Sequence, residues 1–504
     1  MAINMKHKII KSIIIVAVVF MVTIMGIFFL KRGRHNLFYK IPRQAVSVLV
    51  IDVPALSAKL LFDEIGSDVK ISSRLAKLAP DSLSGIDWNA NGLNLFGKLA
   101  LFTLEDTTSN QVYTSFILSI SSTTRFNSFM KNISQKLHFS VNKQNGISVA
   151  FCKSLGILAA WNGDFVTGMK TSEKNDKNTA ALIQVLSTPQ QQSIGTDTCF
   201  SRKLAGSYDI LFYSRAYKHC SVKQLENVNA GMKNITATII FNKGELEINA
   251  EMQTEQGSLP DKIFMKPGGD MGYLADEDNA ILNIGLHVNA LAFKQFYRTF
   301  KTLDIKTNTP WLAAWDGNVN FVFNGGKNIE NEYVTYSYDD NFNKIEKKEI
   351  KTDKVLNVQA IVGMNITLTD SLFKVKPLVT KGSDTLVTKG SNLVMTKTGN
   401  QFLIYSRYFS KPRKMQKKAN VNIHIEANIP QMLQTLKDFG FDTEKPWLKN
   451  LDCKSITVNM TKKHNINLNC KLYFSDKNKN SIYRFLGLLE NFSQIHADKG
   501  AEFR

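Results

Sequence analysis

Eighteen consecutive residues, Ile13 to Leu30, form an apolar run that only Thr23 and Gly26 interrupt. Lys6, Lys8 and Lys11 precede it, and Lys31, Arg32 and Arg34 follow. A helix rises ~1.5 Å per residue and needs roughly 20 residues to cross the hydrocarbon core, so with Ile9 and Ile10 the run has spanning length. A cleaved signal peptide would end in a small-x-small site, whereas Phe28-Phe29-Leu30-Lys31-Arg32 follows here. The first cysteine is Cys152, which leaves no N-terminal thiol for a lipid anchor. The expectation is an uncleaved transmembrane anchor at 13–30, with a cytoplasmic tail at 1–12 and a stalk at 31–40. Bases flank both ends, so the charge rule does not orient the span. The expected location is the inner membrane, single-pass, with the C-terminal body in the periplasm.

The remaining chain has ample material for several cores. Net charge is +20; the first 35 residues hold six bases and no acid, which leaves +14 for the rest. A basic excess suits an anionic surface, but a Lys- and Asn-rich composition produces it without any partner. The five cysteines, Cys152, Cys199, Cys220, Cys453 and Cys470, include no C-x-x-C pair, which argues against a structural zinc site. Disulfides Cys199–Cys220 or Cys453–Cys470 would leave an odd thiol, and buried small hydrophobes explain the cysteines equally well.

A strand-then-helix pattern recurs through the body. Residues 45–51 are a continuous apolar and β-branched run, followed by Asp52 and Pro54 as a helix entry. Residues 280–286 lead through Asn289 into a helix at 290–296, and residues 421–427 lead through Asn428 and Pro430 into a helix at 431–437. A fourth copy is a strand at 208–213 with a helix at 222–228. Two alternating hairpins follow such units, 233–239 with 246–250, and 454–460 with 466–470. The expected fold class is therefore α+β: an N-terminal transmembrane helix, then two duplicated antiparallel-sheet-rich halves with strand-helix units, at 41–258 and 272–490. A linker at 259–271 joins them, and 491–504 is a tail. Phe126, Phe129, Met130 and Ile133 mark a helix at 125–137 by their spacing. A charged hairpin is expected at 324–354, carrying Tyr333, Tyr336 and Tyr338. The tandem Lys-Gly-Ser at 381–383 and 389–391 lacks the upstream glycine of a phosphate loop and reads as short strands with Gly turns.

The opening Ile41-Pro42 with Ala45 and Val48, then Asp52 and Leu56, Gly85-Ile86-Asp87 and the hairpin around Lys243-Gly244 resemble a family of uncharacterised Bacteroidota envelope proteins, which open on an Ile-Pro-x-x-Ala-x-x-Val strand. The resemblance implies an envelope location and carries no functional residues. Such proteins commonly use a lipoprotein signal, which this chain replaces with its apolar run.

No H-E-x-x-H, G-x-G-x-x-G or G-x-S-x-G motif is present, so no catalytic, cofactor-binding or metal residues are assigned. His287 and His424 sit on strands as structural residues, Asp52 reads as a helix cap, and Trp88, Trp311 and Trp315 read as core ahead of sugar-stacking surfaces. Lys411, Arg413, Lys414, Lys417 and Lys418 form the candidate contact with an anionic surface, although a solvated loop accounts for them too. The expected partners are the membrane, through 13–30, and an envelope protein or lipid; nucleic acid is disfavoured for an exported body. The expected function is non-enzymatic, as a scaffold or binding component of an assembly. A carrier of lipid or another amphiphile, and a hydrolase with a site assembled from distant residues, are the alternatives.

Overall fold

The recurring β-branched runs become strands, and an Asp or Asn at the end of three of them starts a helix by accepting an otherwise unpaired amide hydrogen. Asp52 Oδ1 accepts from Ala55 N at 3.1 Å, Asn289 Oδ1 from Ala292 N at 3.1 Å, and Asn428 Oδ1 from Gln431 N at 3.3 Å. The computed structural model describes residues 36–64, 91–94, 97–106, 111–215, 231–264, 280–299, 314–365, 378–380, 385–388, 393–406, 421–441, 452–482 and 484. They divide into two compact units, the first holding 36–58 and 91–212, the second 59–64 and 213–484. The helix expected at 222–228 lies outside the described residues.

In the first unit the strands are β1 (Ser47–Asp52), β2 (Lys98–Asp106), β3 (Gln111–Ser119), β4 (Val141–Gln144), β5 (Ile147–Cys152), β6 (Ile157–Trp161), β7 (Phe165–Lys170) and β8 (Ile210–Arg215). They pair in the order β8-β1-β2-β3-β7-β6-β5-β4. Helix α1 (Val53–Glu64) follows β1, α2 (Thr123–Lys136) follows β3, and α3 (Asp176–Ser187) and α4 (Thr198–Leu204) lie between β7 and β8. The i, i+3, i+4 stripe of α2 buries Phe126 and Phe129 and packs Met130 against Ala150, Trp161 and Val166. Phe126 meets Trp161 edge-on at 5.8 Å, and the Trp161 Nε1–H donates to Asn127 Oδ1 at 3.0 Å.

The second unit contains β9 (Met232–Asn242), β10 (Glu245–Thr254), β11 (Leu282–His287), β12 (Trp315–Tyr338), β13 (Lys344–Met364), β14 (Leu378–Thr380), β15 (Thr385–Thr388), β16 (Leu393–Thr398), β17 (Gln401–Ser406), β18 (Ile423–Asn428), β19 (Cys453–Lys462) and β20 (Ile466–Phe474). Their antiparallel order is β9-β10-β20-β19-β18-β11-β12-β13-β17-β16-β15-β14. From β18 to β14 this repeats the order of the first unit strand for strand. The β9–β10 turn uses Gly244 at φ +67°, where a Cβ would come within 2.8 Å of Lys477 Cα. Helices α5 (Leu259–Ile263), α6 (Ala290–Thr299) and α7 (Ile429–Asp438) complete the unit. The joint expected at 259–271 thus begins with α5, inside the second unit.

These observations correct the fold class expected from the sequence, α+β with an N-terminal transmembrane helix followed by two duplicated antiparallel-sheet-rich halves. The described residues are mostly antiparallel sheet, 53% strand against 24% helix. No helix among them is long and apolar enough to cross a membrane. The longest, α2, has 14 residues, about 21 Å, against the ~30 Å of a hydrocarbon core. Residues 13–30, on which the single-pass reading rested, lie outside the described residues. The transmembrane and single-pass readings and the inner-membrane location are withdrawn with them. Cys453 and Cys470 are both free thiols, so that disulfide is not formed.

One buried ion pair ties α5 to β19. Lys462 Nζ donates to the Asp261 carboxylate, and to the Asp261 carbonyl at 2.9 Å, with the two side chains 11% and 8% exposed. Burial pushes the Asp261 carboxyl up, but the hydrogen bonds from Lys462 and from Gly257 N at 2.8 Å outweigh it and hold the group below its usual range. A carboxyl lowered by folding contributes stability above its unfolded pKa of about 3.9, and the contribution is lost as the pH falls through the lowered value. Lys462→Met would strand a buried carboxylate and is expected to cost about 3 kcal/mol at neutral pH. Urea unfolding should show that cost shrinking toward pH 3, where Asp261 takes up its proton in the variant.

Candidate interaction surface

Sequence-selected residues do not converge on a chemical site. Among the described residues no three of His, Cys, Asp and Glu cluster to hold a metal ion. His287 Nδ1 shares a hydrogen bond with Asn318 Oδ1 at 3.2 Å, and His424 Nδ1 with Asn459 Oδ1 at 2.7 Å, so both act as cross-strand links. Asp52 caps α1 and lies 3.4 Å from Lys98, whose Nζ donates to Tyr208 Oη at 2.6 Å. Burial and the Asp52 charge push the Tyr208 phenol well above its usual range, which removes it as a base. Trp315 is in the core, edge-on to Phe293 at 5.4 Å with its Nε1–H on Asn318 O at 3.0 Å, so it offers no sugar-stacking face. Trp88, Trp311 and the basic residues Lys411, Arg413, Lys414, Lys417 and Lys418 lie outside the described residues.

The surface that stands out is the extension of β12 and β13. Within the sheet, β12 pairs with β11 as far as Phe323, and β13 pairs with β17 from Gln359. Beyond those points residues 327–338 and 344–355 pair with each other, Lys327 opposite Val355 through to Tyr338 opposite Lys344. Twelve residues at ~3.3 Å give a two-stranded ribbon of about 40 Å. A register shift between Phe323 and Gly326 marks its root. There Lys354 Nζ lies 2.7 Å from Asp438 Oδ2 at the end of α7, and Gly326 leaves no room for a Cβ, which would sit 2.8 Å from the Phe439 ring. The absence of a side chain at 326 lets the ribbon lie against the helix end, and the ion pair fixes its exit.

Side chains alternate between the two faces of a ribbon, and this one divides them unequally. One face is closed on itself. Glu349 lies 3.1 Å from Lys347 and 3.7 Å from Lys351, Asp353 accepts from Tyr333 Oη and from Asn331 Nδ2 at 2.6 Å, and these partners hold both carboxyls low. The other face carries Val334, Tyr336, Tyr338, Ile350 and Leu356, all exposed, interspersed with charged residues: Lys348 Nζ lies 2.6 Å from Glu332, and Lys344 Nζ lies 3.5 Å over the Tyr336 ring. Eight of the twelve exposed large hydrophobic side chains among the described residues fall between Tyr333 and Leu356, so the exposure is concentrated on this arm.

At the tip, Asp339 Oδ1 accepts from Asn341 N at 2.9 Å and Asn343 N at 2.7 Å, and these bonds pull its carboxyl down. Phe342 closes the turn at φ +60° and is 87% exposed. That left-handed conformation ordinarily falls to Gly or Asn, and a bulky residue holds it only against strain. An outlier of this kind, on a fully exposed aromatic, points to a purpose other than folding. The sequence marked the excursion and its tyrosines, but the pairing register was needed to show that five of the eight exposed apolar residues share one face, with Tyr333 and Ile345 on the other and Phe342 at the tip.

No protein-family profile and no curated protein matches the chain. Among solved structures, crystal forms IV, III and I of TP0453 are similar over 43%, 46% and 46% of this chain and 80%, 85% and 84% of that one, at 13%, 12% and 11% identity. The TM-score is 0.28 in each case, too low for the likeness to carry an argument.

Proposed function

We propose that this protein is a non-enzymatic binding component of an assembly, and that it engages a protein partner through the apolar face and tip of the β12–β13 ribbon. The observation that carries this reading is the gathering of eight exposed hydrophobics on one arm, five of them on one face beside the Glu332–Lys348 pair. A cluster of this kind costs solubility and is retained where a partner covers it. The partner is a protein surface with an apolar groove, not a bilayer. Asp339 and Asp340 share the turn with Phe342, and burying the tip in hydrocarbon would desolvate both carboxylates. Across a protein interface a basic rim can receive them while a pocket receives the ring.

Photoreactive benzoylphenylalanine placed at Tyr338, and separately at Thr335 on the self-satisfied face, tests the reading in the full chain expressed in its own cells. Tyr338 should yield one discrete cross-linked protein and Thr335 none. Equal labelling from both positions, or none from Tyr338, would remove the ribbon as a docking element. Phe342→Gly should relieve the turn and raise the unfolding free energy by about 1 kcal/mol in urea titration, while weakening the cross-link from Tyr338. A loss of stability instead would show that Phe342 packs within its own chain.

A further inference from the structure

The β12–β13 ribbon is an addition to a fold that stands without it. The strand order β18-β11-β12-β13-β17 of the second unit repeats β8-β1-β2-β3-β7 of the first, which sets β12 and β13 where β2 and β3 stand. Strands β2 and β3 have 9 residues each, whereas β12 and β13 have 24 and 21. The extra length leaves the sheet as two strands alone, and a two-stranded hairpin is marginal in water without a third strand beside it. Its β13 edge is open. Along 344–354 every residue is exposed except Glu349 and Asp353, and among the described residues no strand pairs with that edge until β17 begins at Gln359. Ser406 Oγ closes it just before, donating to Leu356 O at 2.5 Å.

We propose that this edge pairs with the same edge of a second copy of the chain, antiparallel about a two-fold axis at Ile350. Only alternate residues of a strand turn their backbone groups to a given side, so two identical edges related by a two-fold axis set one residue opposite its own copy. The charges select which. Centring on Lys347, Lys348 or Lys351 opposes lysine to lysine, centring on Glu349 opposes glutamate to glutamate, and centring on Thr352 joins only Lys351 to the partner's Asp353. Centring on Ile350 puts Glu349 opposite the partner's Lys351, Lys347 opposite the partner's Asp353 and Glu346 opposite the partner's Lys354, each twice by symmetry, with no like charges opposed. Ile350, 72% exposed in the single chain, then meets its own copy. Opposed side chains start ~5 Å apart, within reach of an ion pair. Glu349 already lies between Lys347 and Lys351, Lys354 is on Asp438, and Asp353 holds Tyr333 and Asn331; the second copy adds a neighbour to each and removes none. The ladder runs from Glu346 to Lys354 and stops short of Leu356. Past it the partner's turn must clear β17, and the register shift at the root supplies a bend there, since a bulge kinks and twists its strand. This pairing uses the ribbon's edge and stands whether or not a partner protein covers the apolar face.

Sedimentation velocity of the purified full-length chain should show a monomer–dimer equilibrium. Lys347→Glu and Asp353→Lys, each opposing like charges twice, should weaken the dimer at least tenfold, and the two together should return it to within threefold of wild type. Residues 347 and 353 are about 20 Å apart along one strand, so only contact between copies lets one change repair the other. Ile350→Cys should oxidise in air to a dimer linked through position 350, as located by peptide mass spectrometry. Thr352→Cys, on the same face, should not, because the register sets it about 13 Å from its own copy. A wild-type chain that stays monomeric at every concentration would leave the edge to a different protein and overturn the inference. So would a double variant no tighter than the single ones, or equal linkage at 350 and 352. Loss of the cross-link from Tyr338 would leave each of these outcomes unchanged.

Discussion

Cross-strand hydrogen bonds between side chains on the polar face of the second unit fix the register on which everything else in that unit depends. Asn469 Nδ2 donates to Asn249 Oδ1 at 2.6 Å and to Glu247 Oε1 at 3.1 Å, and His424 pairs with Asn459. Because side chains alternate, a slip of one residue would carry every apolar group of a strand to the opposite face. Apolar contacts alone tolerate such a slip poorly, but they do not name the partner residue. A carboxamide that must find its mate across the strand does. The same bonds therefore decide that Ile248, Val458 and Ile284 line up on one face.

The ends of these strands are held by a connected set of polar groups. Asn422 N donates to Met460 O at 2.8 Å, Asn422 Oδ1 accepts from Lys462 N at 2.9 Å, and Lys462 in turn pairs with Asp261. His287 N donates to Asn422 O at 2.6 Å. This joins α5, β11, β18 and β19 at one corner, close to where α6 begins. Buried charge is expensive unless it is paired, and the Lys462–Asp261 contact supplies that pairing at this corner.

Strands β12 and β13 do two things along one pairing. Near the sheet they bury Val322 and Ile361 completely; past the register shift at Phe323 and Gly326 they run on as an exposed ribbon. The change in environment comes from the neighbours. Strands β11 and β17 end, and the hairpin's own pairing resumes beyond the register shift. Both ribbon faces pair charges, and five of the eight exposed apolar side chains of the arm stand on one of them.

By itself the sequence determined the local elements. Residues 45–51, 280–286 and 421–427 are apolar and β-branched enough to be strands, Asp52, Asn289 and Asn428 stop them as caps, and the spacing of Phe126, Phe129 and Met130 gives α2. The hairpins at 233–250 and 454–470 were legible from alternation and their turns. Those signals act over a few residues, so they survive without knowledge of the rest of the chain. The reading of location rested on residues 13–30 and that of fold class on the recurring strand-helix units as well, and the described residues form a mostly antiparallel sheet whose helices are too short to span. Outside the hairpins, tertiary structure alone decided which strands became neighbours. It lined Ile284 up with Ile425 and Phe321 on neighbouring strands and carried β12 and β13 past the strands beside them. Both outcomes depend on contacts between residues far apart in the chain, and such contacts leave no mark on the composition or periodicity of any one segment.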